Sequence, residues 1–148
     1  MVKKRDYTLL IMMKYYGKTG MLLHIVKRFE DVDNQDGFRE DIIDSEEHIQ
    51  CSSLKMDKGH TFKPHKHICK NIPSWGLAQE SWVVIRGSVK CIFYDLDDTI
   101  LAEPILYPGD VSFTLIGGHT YEILEADTIV YEYKTGPYTG QESDKVFI

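Results

Sequence analysis

From about residue 50 onward, short stretches of alternating apolar and polar residues follow one another at close intervals. Turn-forming pairs such as Gly87-Ser88 and Gly117-Gly118 separate them. The stretches are rich in Val, Ile, Tyr, Phe and Thr, which suit a pleated, half-buried surface. They cover residues 49–56, 81–86, 89–94, 99–106, 111–115, 120–124 and 128–133. Strands at such regular spacing predict an all-β fold, an antiparallel sandwich or barrel.

The first twenty residues differ from the rest in charge. They carry five Lys and Arg against one Asp, a net of +4, so the remainder carries −10 of the total −6. Lys3-Lys4-Arg5 and the apolar residues 9–13 resemble a signal peptide, but the run ends at Lys14 without a small-residue cleavage site. We expect a short amphipathic helix, an edge strand or an upstream extension, with Met21 as an alternative start.

Length and composition restrict the class of protein. A chain of 148 residues fits one domain. We predict a basic N-terminal extension over residues 1–20 and a single domain over residues 21–148, with a barrel core at about residues 50–135. The acidic balance argues against nucleic acid as a partner, and the apolar runs are too short to cross a membrane. Three cysteines without C-x-x-C spacing indicate a reduced, cytoplasmic protein.

The chemistry of the chain centres on a pair of histidines. His65 and His67 are two residues apart, so in a strand both imidazoles point to the same face and can converge on one ion. Gly59 precedes them in the spacing G-x5-H-x-H, and Glu80 and Gly87 follow in the spacing E-x6-G. Imidazole is a common ligand of zinc, iron, copper and nickel.

A Pro108-Gly109-Asp110 turn and then His119 follow downstream. With the pattern around His65 and His67, this set resembles the two motifs of the cupin superfamily over about residues 50–135. The resemblance implies a jelly-roll β-barrel, also described as a double-stranded β-helix. It also implies a divalent metal ion (Fe, Mn, Zn or Ni) at the wider mouth of the barrel. The ligands that it implies are His65, His67, Glu80 and His119.

The chain departs from the family pattern in two places. Twelve residues separate His67 from Glu80 where the family has three or four, and Ile123 stands where the second motif has an Asn. We interpret the insertion as a longer loop over the barrel mouth, a lid that brings Trp75 towards the substrate.

Cys69 shares the strand parity of the two histidines, so a thiolate ligand and a buried structural cysteine remain the two interpretations.

Strand parity selects further candidates. Trp82 shares the parity of Glu80, and Lys63 that of His65, so with Trp75 they are predicted to line a substrate pocket. Tyr121, two residues past His119, is a candidate for proton transfer, and Arg86 for contact with an anionic substrate. For these side chains, packing in the core or extension into solvent is the alternative.

Two classes of function fit these features. The first is a metal-dependent enzyme acting on a small carbohydrate-like or other oxygenated substrate, by isomerisation, epimerisation or lyase chemistry with the metal as Lewis acid. An iron dioxygenase, and a metal-free enzyme with a His–Tyr121 acid–base pair, stay open beside it. The second class is a non-catalytic cupin that binds or senses a small ligand.

The end of the chain adds a further resemblance. Residues 132–138, followed by Asp144-Lys145, are similar to the tails of small cupins encoded among bacterial surface-polysaccharide genes. This favours a sugar as substrate and a role in polysaccharide biosynthesis. Because cupin barrels often pair at their edges, we also expect a homodimer in which the tail or the N-terminal segment contributes a strand.

Overall fold

The structure is a computed structural model that describes residues 12–68 and 76–148. Within these ranges the chain forms thirteen strands and two helices of four or five residues. The strands are β1 (Met13–Tyr16), β2 (Leu22–Val26), β3 (Arg39–Asp41), β4 (Ile49–Met56), β5 (His65–His67), β6 (Glu80–Arg86), β7 (Val89–Tyr94), β8 (Ile100–Ala102), β9 (Ile105–Leu106), β10 (Val111–Thr114), β11 (Gly118–Ile123), β12 (Thr128–Thr135) and β13 (Lys145–Phe147). The helices are α1 (Phe29–Asp33) and α2 (Gln141–Asp144). No helix in the described ranges is long and apolar enough to cross a membrane.

Two antiparallel sheets make up the body of the fold. One has the strand order β10-β6-β12-β4-β3, and the other β13-β5-β11-β7-β8, with β9 also paired to β7. The longest pairing joins β12 to β4 over their full length, from Thr128 opposite Met56 to Thr135 opposite Ile49. This is an all-β fold of antiparallel sheets, as the alternating pattern predicts, in the jelly-roll form that the family resemblance implies.

The core lies between the two sheets. Inward-facing side chains alternate with outward-facing ones along each strand, which is the spacing that a pleated strand imposes. The largest side chains in the core are Trp82 from one sheet and Tyr121 from the other, both 1% exposed. Their rings stack with centroids 3.8 Å apart and planes 11° apart. The other core residues are Leu54, Met56, Val84, Val89, Cys91, Ile123 and Val130.

The predicted strands agree closely with the observed ones. Residues 49–56 and 89–94 match β4 and β7, and the other predicted stretches lie within a few residues of β6, β10, β11 and β12. The stretch 99–106 is two strands rather than one. Pro104 has no N–H to donate and interrupts the pairing with β7, so β8 and β9 form on either side of it.

Near the N-terminus, β1 and β2 form a hairpin from Met13 to Val26. A strand was one of the three expectations for this region, and the predicted boundary between residues 20 and 21 falls at the turn of the hairpin. Residues 3–5 and most of the apolar run at 9–13 lie outside the described residues.

Candidate metal centre

Three histidines converge from neighbouring strands of the six-stranded sheet. β5 is only three residues long, and its two end residues, His65 and His67, are buried on the inner face. His119 on β11 lies directly opposite His65 in the antiparallel register. Directly opposed residues carry their side chains on the same face, so the three imidazoles form one cluster, with ring centroids 4.5–5.4 Å apart.

Gly118 allows this close approach of strands. A Cβ at this position would collide with the side chain of Ile148 and crowd the Cβ of Tyr94. The absence of a side chain leaves room for Ile148 and lets β11 lie close to Tyr94 of β7 immediately before His119.

Glu80 enters the cluster from the opposite sheet, as the first residue of β6. Its Oε1 lies 3.1 Å from His119 Nε2, and its Oε2 lies 3.5 Å from His67 Nε2. The indole N–H of Trp82 donates to the same Oε1 at 3.1 Å. The twelve-residue separation from His67 therefore leaves Glu80 at the cluster, while the neighbouring Gln79 points outward and is exposed.

A hydrogen bond orients one of the imidazoles, and a carboxylate lies behind another. His65 Nδ1 donates to the carbonyl oxygen of Lys63 at 3.0 Å, which leaves the lone pair of the ring on Nε2. That Nε2 is buried and has no hydrogen-bond partner among the described residues. His67 Nδ1 lies 3.2 Å from Oδ2 of Asp144, the buried last residue of α2. A carboxylate behind a histidine in this way fixes the ring and raises its basicity towards a metal.

The electrostatics of the cluster favour a cation. Burial and the neighbouring His119 lower the pKa of His65 to about 4, so its imidazole is neutral at physiological pH. Burial alone would lower the pKa of His67, but the carboxylates of Asp144 and Glu80 raise it to about 9. Although Glu80 is also buried, His119 and His67 hold its pKa well below 4.5. Two carboxylates thus stabilise positive charge at this point.

These residues fit a divalent metal ion. One donor atom from each of His65, His67, Glu80 and His119 lies within 4.8 Å of the other three. Donors about 2.0–2.2 Å from a shared ion are at most about 4.4 Å apart, so small side-chain adjustments suffice. The Nε2 of His65 carries a lone pair and has no hydrogen-bond partner among the described residues, so it is free to coordinate an ion. Three imidazoles and one carboxylate suit Zn²⁺, Fe²⁺, Mn²⁺ or Ni²⁺.

The cluster borders a cavity of about 630 Å³. His65 and Glu80 line it, whereas His67 and His119 lie behind them. The volume is in the range of small-molecule sites. Its wall mixes apolar and charged side chains from both sheets and from the β1–β2 hairpin: Met12, Lys14, Leu22, Ile25, Arg39, Asp41, Ile42, Ile43, Asp44, Ser45, Gln50, Phe62, Glu132, Lys134, Tyr138 and Lys145.

Comparison with known proteins shows which solved structures share this architecture. No family model and no curated protein sequence matches the chain. Among solved structures, capsular polysaccharide assembling protein CapF from Staphylococcus aureus is 16% identical with a TM-score of 0.63, and covers 97% of this chain. KdgF from Halomonas sp. is 18% identical with a TM-score of 0.51, over 66% of this chain and 77% of its own. Both are cupin-superfamily proteins. The chain has the cupin fold. It spans about a third (33%) of the CapF chain.

A third cupin structure concerns metal centres. Oxalate decarboxylase from Bacillus subtilis, described with Mn(II) centres, is 16% identical with a TM-score of 0.51, over 69% of this chain and 24% of its own. Identities this low establish the common fold, and the cluster in this chain stands on its own geometry.

The predicted residues Tyr121 and Trp82 lie beneath the cluster, not in the cavity wall. Tyr121 is stacked on Trp82 and its hydroxyl lies 3.5 Å from Ser112 Oγ. Burial and the charge of Glu80 raise the pKa of Tyr121 well above 10, so the phenol stays protonated. Trp82 contacts Glu80 but no open space. Both side chains are packed in the core, the alternative given for them by the sequence analysis.

The predicted catalytic residue Arg86 lies elsewhere. Arg86 is six positions after Glu80, and at about 3.3 Å per residue this is about 20 Å along β6. A bulge opposite, between Ile129 and Val130, also shifts the register there. The Arg86 guanidinium donates to Asp33 at 2.8 Å and to the Asp127 carbonyl at 2.9 Å. Arg86 is therefore absent from the wall of the cavity beside the cluster.

Of the remaining predicted pocket residues, Lys63 does not line the cavity. Lys63 is exposed, with its ammonium 5.5 Å from the ring centroid of Phe147. Trp75, predicted in the lid, and Cys69, the candidate thiolate, lie outside the described residues.

Several cavity residues escaped the sequence analysis. Arg39 bridges two carboxylates, Glu132 at 3.0 Å and Asp41 at 2.8 Å. Burial and the charge of Glu80 raise the pKa of Glu132, against the opposing effect of Arg39. Lys134 and Glu132 are two residues apart on β12, so strand parity could have predicted that their side chains point to the same face. Arg39 and Asp144 come from segments with no pattern that links them to the motif.

Proposed function

We propose that the protein is a metal-dependent enzyme of the isomerase, epimerase or lyase type, acting on a small carbohydrate-like substrate. The observation that carries this proposal is the buried cluster of three histidines and one glutamate, which opens through His65 and Glu80 onto a cavity of about 630 Å³. The structural likeness to a capsular polysaccharide assembling protein supports a carbohydrate as the substrate class.

Different residues of the chain would hold the metal ion, orient its ligands and line the cavity. A bound divalent ion supplies Lewis-acid polarisation of a carbonyl or hydroxyl oxygen. Asp144 holds the ring of His67, and the Trp82 indole holds the Glu80 carboxylate, so the donors are preorganised. The apolar residues Phe62, Leu22 and Ile25 cover part of the cavity wall and restrict water.

Glu132 is the candidate for moving a proton. It is 7% exposed and lines the cavity. Because burial and Glu80 raise the pKa of Glu132, it binds and releases a proton closer to neutral pH than an ordinary glutamate does. The ion pair with Arg39 fixes its position.

Deuterium exchange tests the proposal even when the product is unidentified. Isomerases, epimerases and many lyases break a C–H bond next to a carbonyl group, so substrate incubated in D₂O gains deuterium there. We expect metal-loaded protein to label members of a panel of keto sugars and uronates, as detected by NMR. A His65→Ala and His67→Ala double variant should label none. Absence of labelling across the panel by metal-loaded wild-type protein counts against the proposed reaction class.

The same samples test the two alternatives. Loaded with Fe²⁺ under air, a dioxygenase consumes O₂ in the presence of substrate, whereas the proposed enzyme does not. A sensing cupin binds a panel member, seen as changed ligand line widths, without labelling or oxygen uptake. Either result would replace the proposed reaction by that alternative.

A further inference from the structure

Two lysines stand beside the metal-ligand candidates, one on each sheet. Lys134 on β12 lies opposite Glu80 on β6, and Lys145 on β13 lies opposite His67 on β5. Side chains of directly opposed residues share a face, with Cβ atoms about 4.5–5.5 Å apart. Both lysines also line the cavity. Both lysines therefore border the cavity onto which His65 and Glu80 open.

The carboxylates around the cavity act on these two ammonium groups only from a distance. Arg39 is engaged by Glu132 and Asp41, and Glu80 by the histidines. Over residues 12–68 and 76–148, no carboxylate oxygen lies within 4.0 Å of the ammonium of Lys134 or Lys145.

The immediate surroundings of each lysine are consistent with the lack of a close carboxylate. The Lys134 ammonium lies 3.9 Å from the ring centroid of Tyr138, a contact that holds the side chain without neutralising it. Lys145 is half-buried, and burial lowers the pKa of its ammonium against the opposing effect of Glu80 and Glu132. A partly buried cation without an ion pair gains most from an anionic ligand.

We propose that Lys134 and Lys145 form an anion subsite next to the metal-ligand cluster, and that the substrate carries a carboxylate or phosphate group. The inference rests on the proposed function in one respect, since it takes the cavity beside the cluster to be the substrate site. Lys134 and Lys145 hold the anionic group by charge-assisted hydrogen bonds, which directs the sugar-like remainder towards His65 and Glu80. A sugar acid and a sugar phosphate offer the same chemistry to the two lysines.

Calorimetric titration of the full-length, metal-loaded protein tests the subsite. The probes are glucuronate for the carboxylate, glucose 6-phosphate for the phosphate, and glucose as the neutral control. We expect one or both anions to bind at least about tenfold more tightly than glucose, and the Lys134→Gln, Lys145→Gln double variant to lose that advantage. The difference between the two anions identifies the group that the subsite prefers.

Control variants separate charge from structure. Lys90→Gln removes a lysine that pairs with Glu103 outside the cavity, and should leave all three affinities unchanged. The Lys134→Arg, Lys145→Arg variant keeps both charges and should retain the preference for anions. If the double glutamine variant does not fold, the wild type alone decides, because its anion affinity must fall with added NaCl while its glucose affinity does not.

Equal affinity of wild type for glucose and the anions, no measurable anion binding, or full anion binding by the double glutamine variant each overturns the subsite. Metal content is measured on the same samples. A wild type that holds metal and labels sugars but shows no anion preference refutes only the subsite. A wild type that holds no metal refutes the proposed function, whereas anion binding by the lysines persists in that case.

Discussion

Replacement of Asp144 by asparagine tests how the cluster is preorganised. Asp144 Oδ2 lies 3.2 Å from His67 Nδ1, and the carboxylate is buried with it. Asparagine keeps the size of the side chain and an oxygen that accepts the Nδ1 proton, but loses the negative charge. Carboxylates that support a metal-bound histidine contribute about 10–100-fold in metal affinity, or about 1.4–2.8 kcal/mol. We therefore expect Asp144→Asn to weaken Zn²⁺ binding by that factor.

The increase in folding stability on Zn²⁺ binding provides a second measure of the Zn²⁺ affinity. At a free Zn²⁺ concentration of about 100 times the wild-type Kd, binding stabilises the folded state by about 2.7 kcal/mol. A 10–100-fold weaker variant gains about 0.4–1.4 kcal/mol at the same concentration. Competition with a fluorescent chelator gives the affinity, and urea unfolding with and without Zn²⁺ gives the stabilisation.

The matched control lies on the same short helix. Glu142→Gln removes an exposed carboxylate two residues away and should leave both quantities at their wild-type values. Zn²⁺ affinity of Asp144→Asn within about threefold of the wild type would refute the supporting role of Asp144. Equal weakening by Glu142→Gln would show that overall charge, rather than contact with His67, sets the affinity.

Three further predictions concern stability and reactivity. Gly87→Ala should cost about 2–4 kcal/mol in urea unfolding, because φ is +79° there and a Cβ would collide with the side chain of Thr128. Arg39→Gln should cost about 2–3 kcal/mol at pH 8 and less at pH 5, because it leaves the buried carboxylate of Glu132 unpaired. The pKa of Glu132 is already raised, so its protonated form favours the folded state at low pH and that contribution is lost as pH rises. Cys91 is fully buried with its pKa raised to about 11, so iodoacetamide at pH 8 should modify it only in urea, as peptide mapping would show.

Each of these has a discriminating outcome. Gly109→Ala, where φ is +94° but nothing lies within 4 Å, should cost only about 1–2 kcal/mol, and an equal loss at both glycines would contradict the role of Thr128. Adding Glu132→Gln to Arg39→Gln should abolish the pH dependence of the loss, so a dependence that persists would assign it to another group. Rapid alkylation of native Cys91 would show that the core opens far more readily than its packing implies.

Much of the fold follows from local pattern. Strands β4 and β7 have eight and six residues, and their apolar, strand-forming sequences are bounded by turn residues, so local sequence defines them. The three-residue strands β5 and β13 cannot display a period of two convincingly. They are strands because they pair with each other, with Lys145 opposite His67 and Phe147 opposite His65, and this pairing joins segments almost 80 residues apart in the chain.

Part of the site, like part of the fold, can be predicted from local sequence, and the rest depends on contacts between distant segments. The four residues of the cluster are recoverable because motif spacing and parity place His65 and His67 together, and the motif brings in Glu80 and His119. Strand parity did not show that Arg86 lies away from this cavity, because it gives the face of a strand but not the position along the barrel axis. The residues that surround the cluster come from α2, β3, β12 and β13, and nothing in their local sequence shows which end of the barrel they close.

Elemental analysis of the purified protein tests the central claim most directly. Protein prepared without nickel-affinity chromatography should contain about one equivalent of a divalent transition metal per chain, and the His65→Ala, His67→Ala double variant should contain almost none. Wild-type protein with less than about a tenth of an equivalent, after growth and purification in the presence of Zn²⁺, Fe²⁺, Mn²⁺ or Ni²⁺, would contradict the metal centre. Full metal content in the double variant would contradict its location.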